Sequence, residues 1–181
     1  AASDVYKRQD LRFFYGIFII ISFTGFTNAT NLTDGLDGLL GGTSAIITTG
    51  ITVLAFINKN YHVMYFGISL LTGILAFLIF NLPRARIFMG DTGSLAIGAA
   101  LFSMLLCLNM DVLIFVFGII YLVETISVML QVWFFKKTSG ERLFKMSPFH
   151  HHLELSGLKD FQIDIIFWII TLICTIFACI L

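Results

Sequence analysis

Six long apolar runs decide what this chain can become. They lie at roughly Phe13–Phe26, Leu39–Ile57, Val63–Leu82, Leu95–Asn109, Val112–Phe135 and Ile163–Leu181, and about 20 mostly apolar residues let an α-helix cross the hydrocarbon of a bilayer. The chain of 181 residues is 58% hydrophobic and only 12% charged, with a mean hydropathy of +0.95. That is too apolar for an ordinary soluble domain. Phe and Ile recur all round the runs instead of on one stripe, as in helices bathed by lipid. A β-barrel would need alternating apolar and polar positions, and none occurs. The expected fold is therefore an all-α polytopic membrane bundle with six transmembrane helices. Cys107, Cys174 and Cys179 fall inside apolar runs and read as small buried hydrophobes.

Net charge is zero, so its distribution carries the information. Cytoplasmic loops collect Lys and Arg. Alternating six spans puts Arg84, Arg86, Lys136, Lys137, Arg142, Lys145 and Lys159 on one side, against Arg12 and Lys59 on the other once the head is set aside. The head, residues 1–9 (A1-A-S-D-V-Y-K-R-Q9), has no apolar core of a signal peptide and reads as a non-native scar. Residues 10–181 then form one transmembrane domain, with cytoplasmic loops at 28–38, 83–94 and 136–162.

Every unusual polar cluster falls on that cytoplasmic face. In N28-A-T-N-L-T-D-G-L-D-G38, the residues Asn28, Asn31, Asp34 and Asp37 recur every three positions, so neighbours share a face of any helical turn. The glycines argue against a long regular helix there and would let a ligand approach the backbone. Such oxygens suit a hard cation, a ribose or a base edge; a solvated loop is the plain alternative. In N81-L-P-R-A-R-I-F-M-G-D-T-G-S94, Asp91 stands before a helix N-cap sequence, where backbone N–H groups could meet a phosphate beside a carboxylate-bound Mg²⁺. A capped helix start is the bland reading.

The third cluster is P148-F-H-H-H-L-E154. Three successive imidazoles cannot all face one way on a regular element. Zinc would want spaced ligands, so phosphate contact and charge stabilisation are the better reading. Glu124 lies inside the fifth run, with Ser127 and Gln131 on the same helical face; intramembrane acids are costly and usually face the bundle interior. Interhelical hydrogen bonding is the plain reading and a substrate-side function the alternative, and Glu124 is not counted among the catalytic residues. Acids, amides, arginines and histidines on one face fit a phosphate-bearing substrate and magnesium-assisted phosphoryl transfer.

The motifs N28-A-T-N-L-T-D-G-L-D-G, F88-M-G-D-T-G-S-L-A-I-G98, E124-T-I-S-V-M-L-Q-V132 and P148-F-H-H-H-L-E-L-S-G157 closely resemble, in this order, those of the phospho-N-acetylmuramoyl-pentapeptide transferases, within the polyprenyl-phosphate N-acetylhexosamine-1-phosphate transferase superfamily. The resemblance runs from about Asp10 to the C-terminus. It implies a multi-pass bacterial inner-membrane enzyme with a cytoplasmic active site. UDP-N-acetylmuramoyl-pentapeptide and undecaprenyl phosphate would give lipid I and UMP, with Mg²⁺ as cofactor. Asp91 would be the metal ligand, with Asn31 and Asp34 near the sugar and phosphate path. Gly35, Leu36 and Asp37 would border the uracil and Phe88 would stack on it. His150, His151 and His152 would line the phosphate side, and Asn28 and Gly90 would complete the substrate-binding set. Catalysis would fall to Asp34, Asp91 and the three histidines. A lipid bilayer and a second copy in a homodimer are the expected partners; no nucleic acid is expected.

The resemblance also implies ten helices and an Asp-Asp pair in the N-terminal part, and no Asp-Asp occurs here. The chain is thus expected to be a C-terminal fragment, inactive alone. The runner-up is a GlcNAc-1-phosphate transferase of the same superfamily, and a nucleotide-binding remnant without turnover is a further alternative.

Overall fold

The computed structural model describes residues 12–181, so the head at 1–9 lies outside the described residues. Eight helices follow in order: α1 Arg12–Thr33, α2 Leu39–Ile57, α3 Tyr61–Asn81, α4 Gly90–Cys107, α5 Ile114–Phe117, α6 Ile119–Lys137, α7 Phe149–Glu154 and α8 Asp160–Ile180, with a 3₁₀ turn at Asp111–Leu113. No strand occurs among the described residues, and six helices (α1, α2, α3, α4, α6 and α8) are long and apolar enough to cross a membrane. The chain is an all-α multi-pass membrane bundle.

Helix α2 is the hub. It packs on α3 and α8, while α1 packs on α4 and α6, and Leu39, Leu40, Ile47 and Ile51 are buried. Lipid tails are as apolar as leucine, so membrane helices associate by close packing and polar contacts. Both devices are present. The Trp168 indole fills the space a Cβ would take at Gly42, and Thr175 does the same at Gly50. The buried Tyr121 hydroxyl meets Ser44 Oγ at 3.0 Å and Thr43 Oγ1 at 3.1 Å, tying α6 to α2. Its ring packs edge-on against Phe26, 5.5 Å between centroids. Outward-facing residues such as Ile20, Phe56, Ile79 and Ile180 are the lipid surface of the bundle.

Three boundaries differ from the sequence expectation. Helix α1 continues to Thr33, through half of the stretch expected to be loop. Its polar side chains are satisfied along the helix itself, Asn28 Nδ2 donating to the Thr24 carbonyl at 2.8 Å and Thr33 Oγ1 to the Ala29 carbonyl at 2.8 Å. Helix α4 begins at Gly90, with Met89 as N-cap and Asp91 in its first turn, so Ser94 is an interior residue bonding back to the Gly90 carbonyl and no cap. The fifth span is interrupted at Gly118, where a Cβ would overlap the Phe26 ring. Only α6 beyond it is a full crossing.

Candidate active site at the membrane face

A cavity of about 220 Å³ opens where the end of α1, the α1–α2 turn, the end of α3 and the start of α4 converge. Asn31, Asp34, Gly35, Leu36 and Asp37 form one wall, and Asn81, Phe88, Met89, Gly90 and Asp91 form the other. Phe88 is 74% exposed, a free aromatic face at the rim.

Hydrogen bonds fix the two walls to each other. Asn31 Nδ2 donates to Asp91 Oδ1 at 3.0 Å and to Ser94 Oγ at 2.9 Å, and Thr30 Oγ1 donates to the Ser94 carbonyl at 3.1 Å. These bonds set the α1 acids against the first turn of α4. Asn81 performs the same service below: its Oδ1 accepts the Gly38 N–H at 3.0 Å and its Nδ2 donates to the Ile87 carbonyl at 2.9 Å. Asp37 Oδ2 accepts the Ala85 N–H at 2.9 Å. The turn closes through Gly38, whose φ of +87° is a conformation that L side chains adopt only with strain.

Partial burial and the Asp91 carboxylate push Asp34 up to about 6, although the Gly90 backbone N–H draws it back somewhat. Two acids that repel at this range are what a hard cation relieves. Among the described residues no group of three or more His, Cys, Asp or Glu forms a complete metal cage. Mg²⁺, however, is usually held by one or two carboxylates, with substrate phosphates and water filling the rest. The donors present fit that ion: Asp91 and Asp34 would hold it.

The three histidines diverge, because successive residues on α7 point about 100° apart. His150 is fully buried and faces α6: its backbone N–H and ring Nδ1 meet the Glu124 carboxylate at 3.2 and 3.1 Å. Its Nε2 edge lies against Gly35, where a Cβ would overlap it. His151 Nδ1 pairs with Glu154 Oε2 at 3.0 Å. His152 accepts the Lys145 N–H on Nδ1 at 3.1 Å and stacks on Phe149, 5.7 Å between centroids.

The cavity thus gathers Asn31, Asp34, Gly35, Leu36, Asp37, Phe88, Gly90 and Asp91 from the residues expected to act. It does not gather Asn28, whose amide turns back along α1, nor any histidine in its lining. Asn81 and Ser94 were not expected among the site residues, whereas Glu124 was expected to make an interhelical hydrogen bond, its partner unnamed. Asn81 and Ser94 hold the walls together, and Glu124 holds His150. Their signal was polarity inside apolar runs, which marks hydrogen bonding but not its partner. Gln131, on the Glu124 face of α6, likewise anchors the loop before α7, donating to the Phe144 carbonyl at 3.2 Å and accepting the Phe144 N–H at 2.8 Å.

Residues 5–109 match glycosyl transferase family 4, a match that starts inside the 1–9 head. A phospho-N-acetylmuramoyl-pentapeptide-transferase of Lactococcus lactis subsp. cremoris is 44% identical over 172 residues, 91% of this chain and 52% of the relative. The Latilactobacillus sakei protein of that name is 45% identical over 162 residues, covering 90% and 50%, and that of Listeria monocytogenes is 44% identical over 169 residues, covering 93% and 52%. The chain spans about half the length of the curated relatives it matches. With this match over more than half its residues, the chain belongs to glycosyl transferase family 4.

Proposed function

We propose that this chain forms the nucleotide-sugar half of a phospho-N-acetylmuramoyl-pentapeptide transferase. In the proposed reaction a phosphate oxygen of undecaprenyl phosphate bonds to the β-phosphorus of UDP-N-acetylmuramoyl-pentapeptide. The bond from that phosphorus to the bridging oxygen breaks, UMP leaves with its α-phosphate, and lipid I remains in the bilayer. The observation that carries this reading is one cavity holding a free aromatic face, Phe88, at its rim and paired acids, Asp34 and Asp91, in its walls.

Each residue then has a task. Phe88 stacks on the uracil, while the Gly35–Asp37 backbone and the Asp37 carboxylate meet its polar edges. Asn31 holds Asp91 in place. Mg²⁺, when bound, neutralises the phosphate charge that builds up during transfer. His151 and His152 are half-buried on α7 and would add positive charge on the phosphate side when protonated. The work is positioning and electrostatics, and it takes place at the cytoplasmic face of the bacterial plasma membrane. The enzyme acts as a homodimer.

Calorimetric titration of the full-length gene product with UMP tests the nucleotide assignment. Binding should require Mg²⁺ and weaken at least tenfold in Phe88→Ala, a loss within what base–aromatic stacking supplies. Equal UMP affinity in Phe88→Ala and wild type would contradict the assignment.

A further inference from the structure

We propose that Glu124 is a positioning residue that fixes the protonation pattern of His150, and that the His150 ring in turn seats the Asp34–Asp37 turn. The proposal deepens the transferase reading and rests on it for its kinetic test. Its starting point is geometric. Glu124 and His150 are both fully buried, the carboxylate takes the His150 backbone N–H at 3.2 Å and its Nδ1 at 3.1 Å, and Nε2 has no hydrogen-bond partner among the described residues.

An ionised carboxylate only accepts hydrogen bonds, and in that form Glu124 places a proton on the ring's Nδ1. A carboxylate behind an imidazole sets its tautomer and orientation in just this way. The opposite edge, led by Nε2, then presses on Gly35. Gly35 follows Asp34 and lines the cavity. A membrane-helix acid is thereby connected through one imidazole to the acid that faces Asp91. The fit also explains why position 35 carries no side chain: any Cβ would displace the ring.

Glu124→Gln tests this with almost no change of shape. The His150 backbone N–H would occupy the amide oxygen, leaving the amide NH₂ directed at Nδ1. The ring must then move its proton to Nε2, against Gly35. In the full-length gene product labelled with ¹⁵N-histidine, with His150→Gln used for assignment, wild type should show a protonated Nδ1 and Glu124→Gln a protonated Nε2. Glu124→Asp, still acceptor-only, should keep the wild-type pattern. The rate of UMP release should fall roughly 10- to 100-fold in Glu124→Gln, the scale of small misplacements in an active site, and UMP affinity should fall with it because the same turn borders the uracil, while the folded fraction stays that of wild type. A protonated Nδ1 in Glu124→Gln would overturn the proposal. So would an unchanged rate, or rate and affinity falling together with the folded fraction. If wild type releases no UMP, the transferase reading fails, and the nitrogen spectra still decide whether Glu124 controls the ring.

Discussion

Asn31 Nδ2 donates to Asp91 Oδ1 at 3.0 Å and to Ser94 Oγ at 2.9 Å, so one amide on α1 orients the acid in the first turn of α4. Asn31→Ala leaves Asp91 free to rotate while keeping the apolar contacts of α1. A hydrogen bond to a charged group contributes about 1.5–3 kcal/mol, which corresponds to a loss of roughly 10- to 150-fold in kcat. Steady-state kinetics at saturating donor check this, with circular dichroism confirming an intact bundle.

Asp34 titrates near 6 instead of its ordinary 3.8, through burial and the nearby Asp91. Because its folded value is raised, the free protein is favoured by protonation. That contribution is fully present below about pH 4 and is lost as pH rises through 6. A cation reverses the preference, so Mg²⁺ binding near pH 6 should release a proton. The acid limb of kcat/KM should fall near pH 6, and Asp34→Asn should remove proton release at that pH. Calorimetry in buffers of different ionisation enthalpy reads the proton directly.

Asp164 is fully buried in α8 beside Gly38, and both carboxylate oxygens lack a partner among the described residues. A buried acid without a partner costs stability. Asp164→Leu, which has nearly the same shape and no polar atom to satisfy, should stabilise the protein by about 1–3 kcal/mol, measured as a higher thermal midpoint in detergent. A lower midpoint would mean that the carboxylate has a stabilising role.

Gly42 is where α2 admits the Trp168 indole. Gly42→Val should push α8 away from α2 and cost about 1–3 kcal/mol, the usual penalty for overpacking. Thermal unfolding checks the size of the effect.

Hydropathy alone located the crossings, because about 20 apolar residues in lipid have no alternative to helix. The site was legible as far as chemistry collected in short motifs: Asp34, Asp37, Phe88 and Asp91 stand out against apolar neighbours and do meet in one cavity. What the motifs do not encode is direction. The run from Asn28 to Thr33 looks like loop, yet its side chains bond to helix carbonyls and extend α1. His150, His151 and His152 look like one unit, yet helical rotation sends them to Glu124, Glu154 and Phe149. Glu124 has an obvious cost in a membrane helix, but its partner lies 26 residues away in sequence, which no local pattern reveals.

The most direct test of the proposed transfer is UMP release by the full-length gene product in liposomes containing undecaprenyl phosphate and Mg²⁺. UDP-N-acetylmuramoyl-pentapeptide and UDP-GlcNAc would be compared as donors. The proposed transfer predicts UMP and a pentapeptide-bearing lipid from the muramyl donor only, with both abolished by EDTA. UMP release from UDP-GlcNAc in preference to the muramyl donor would contradict it.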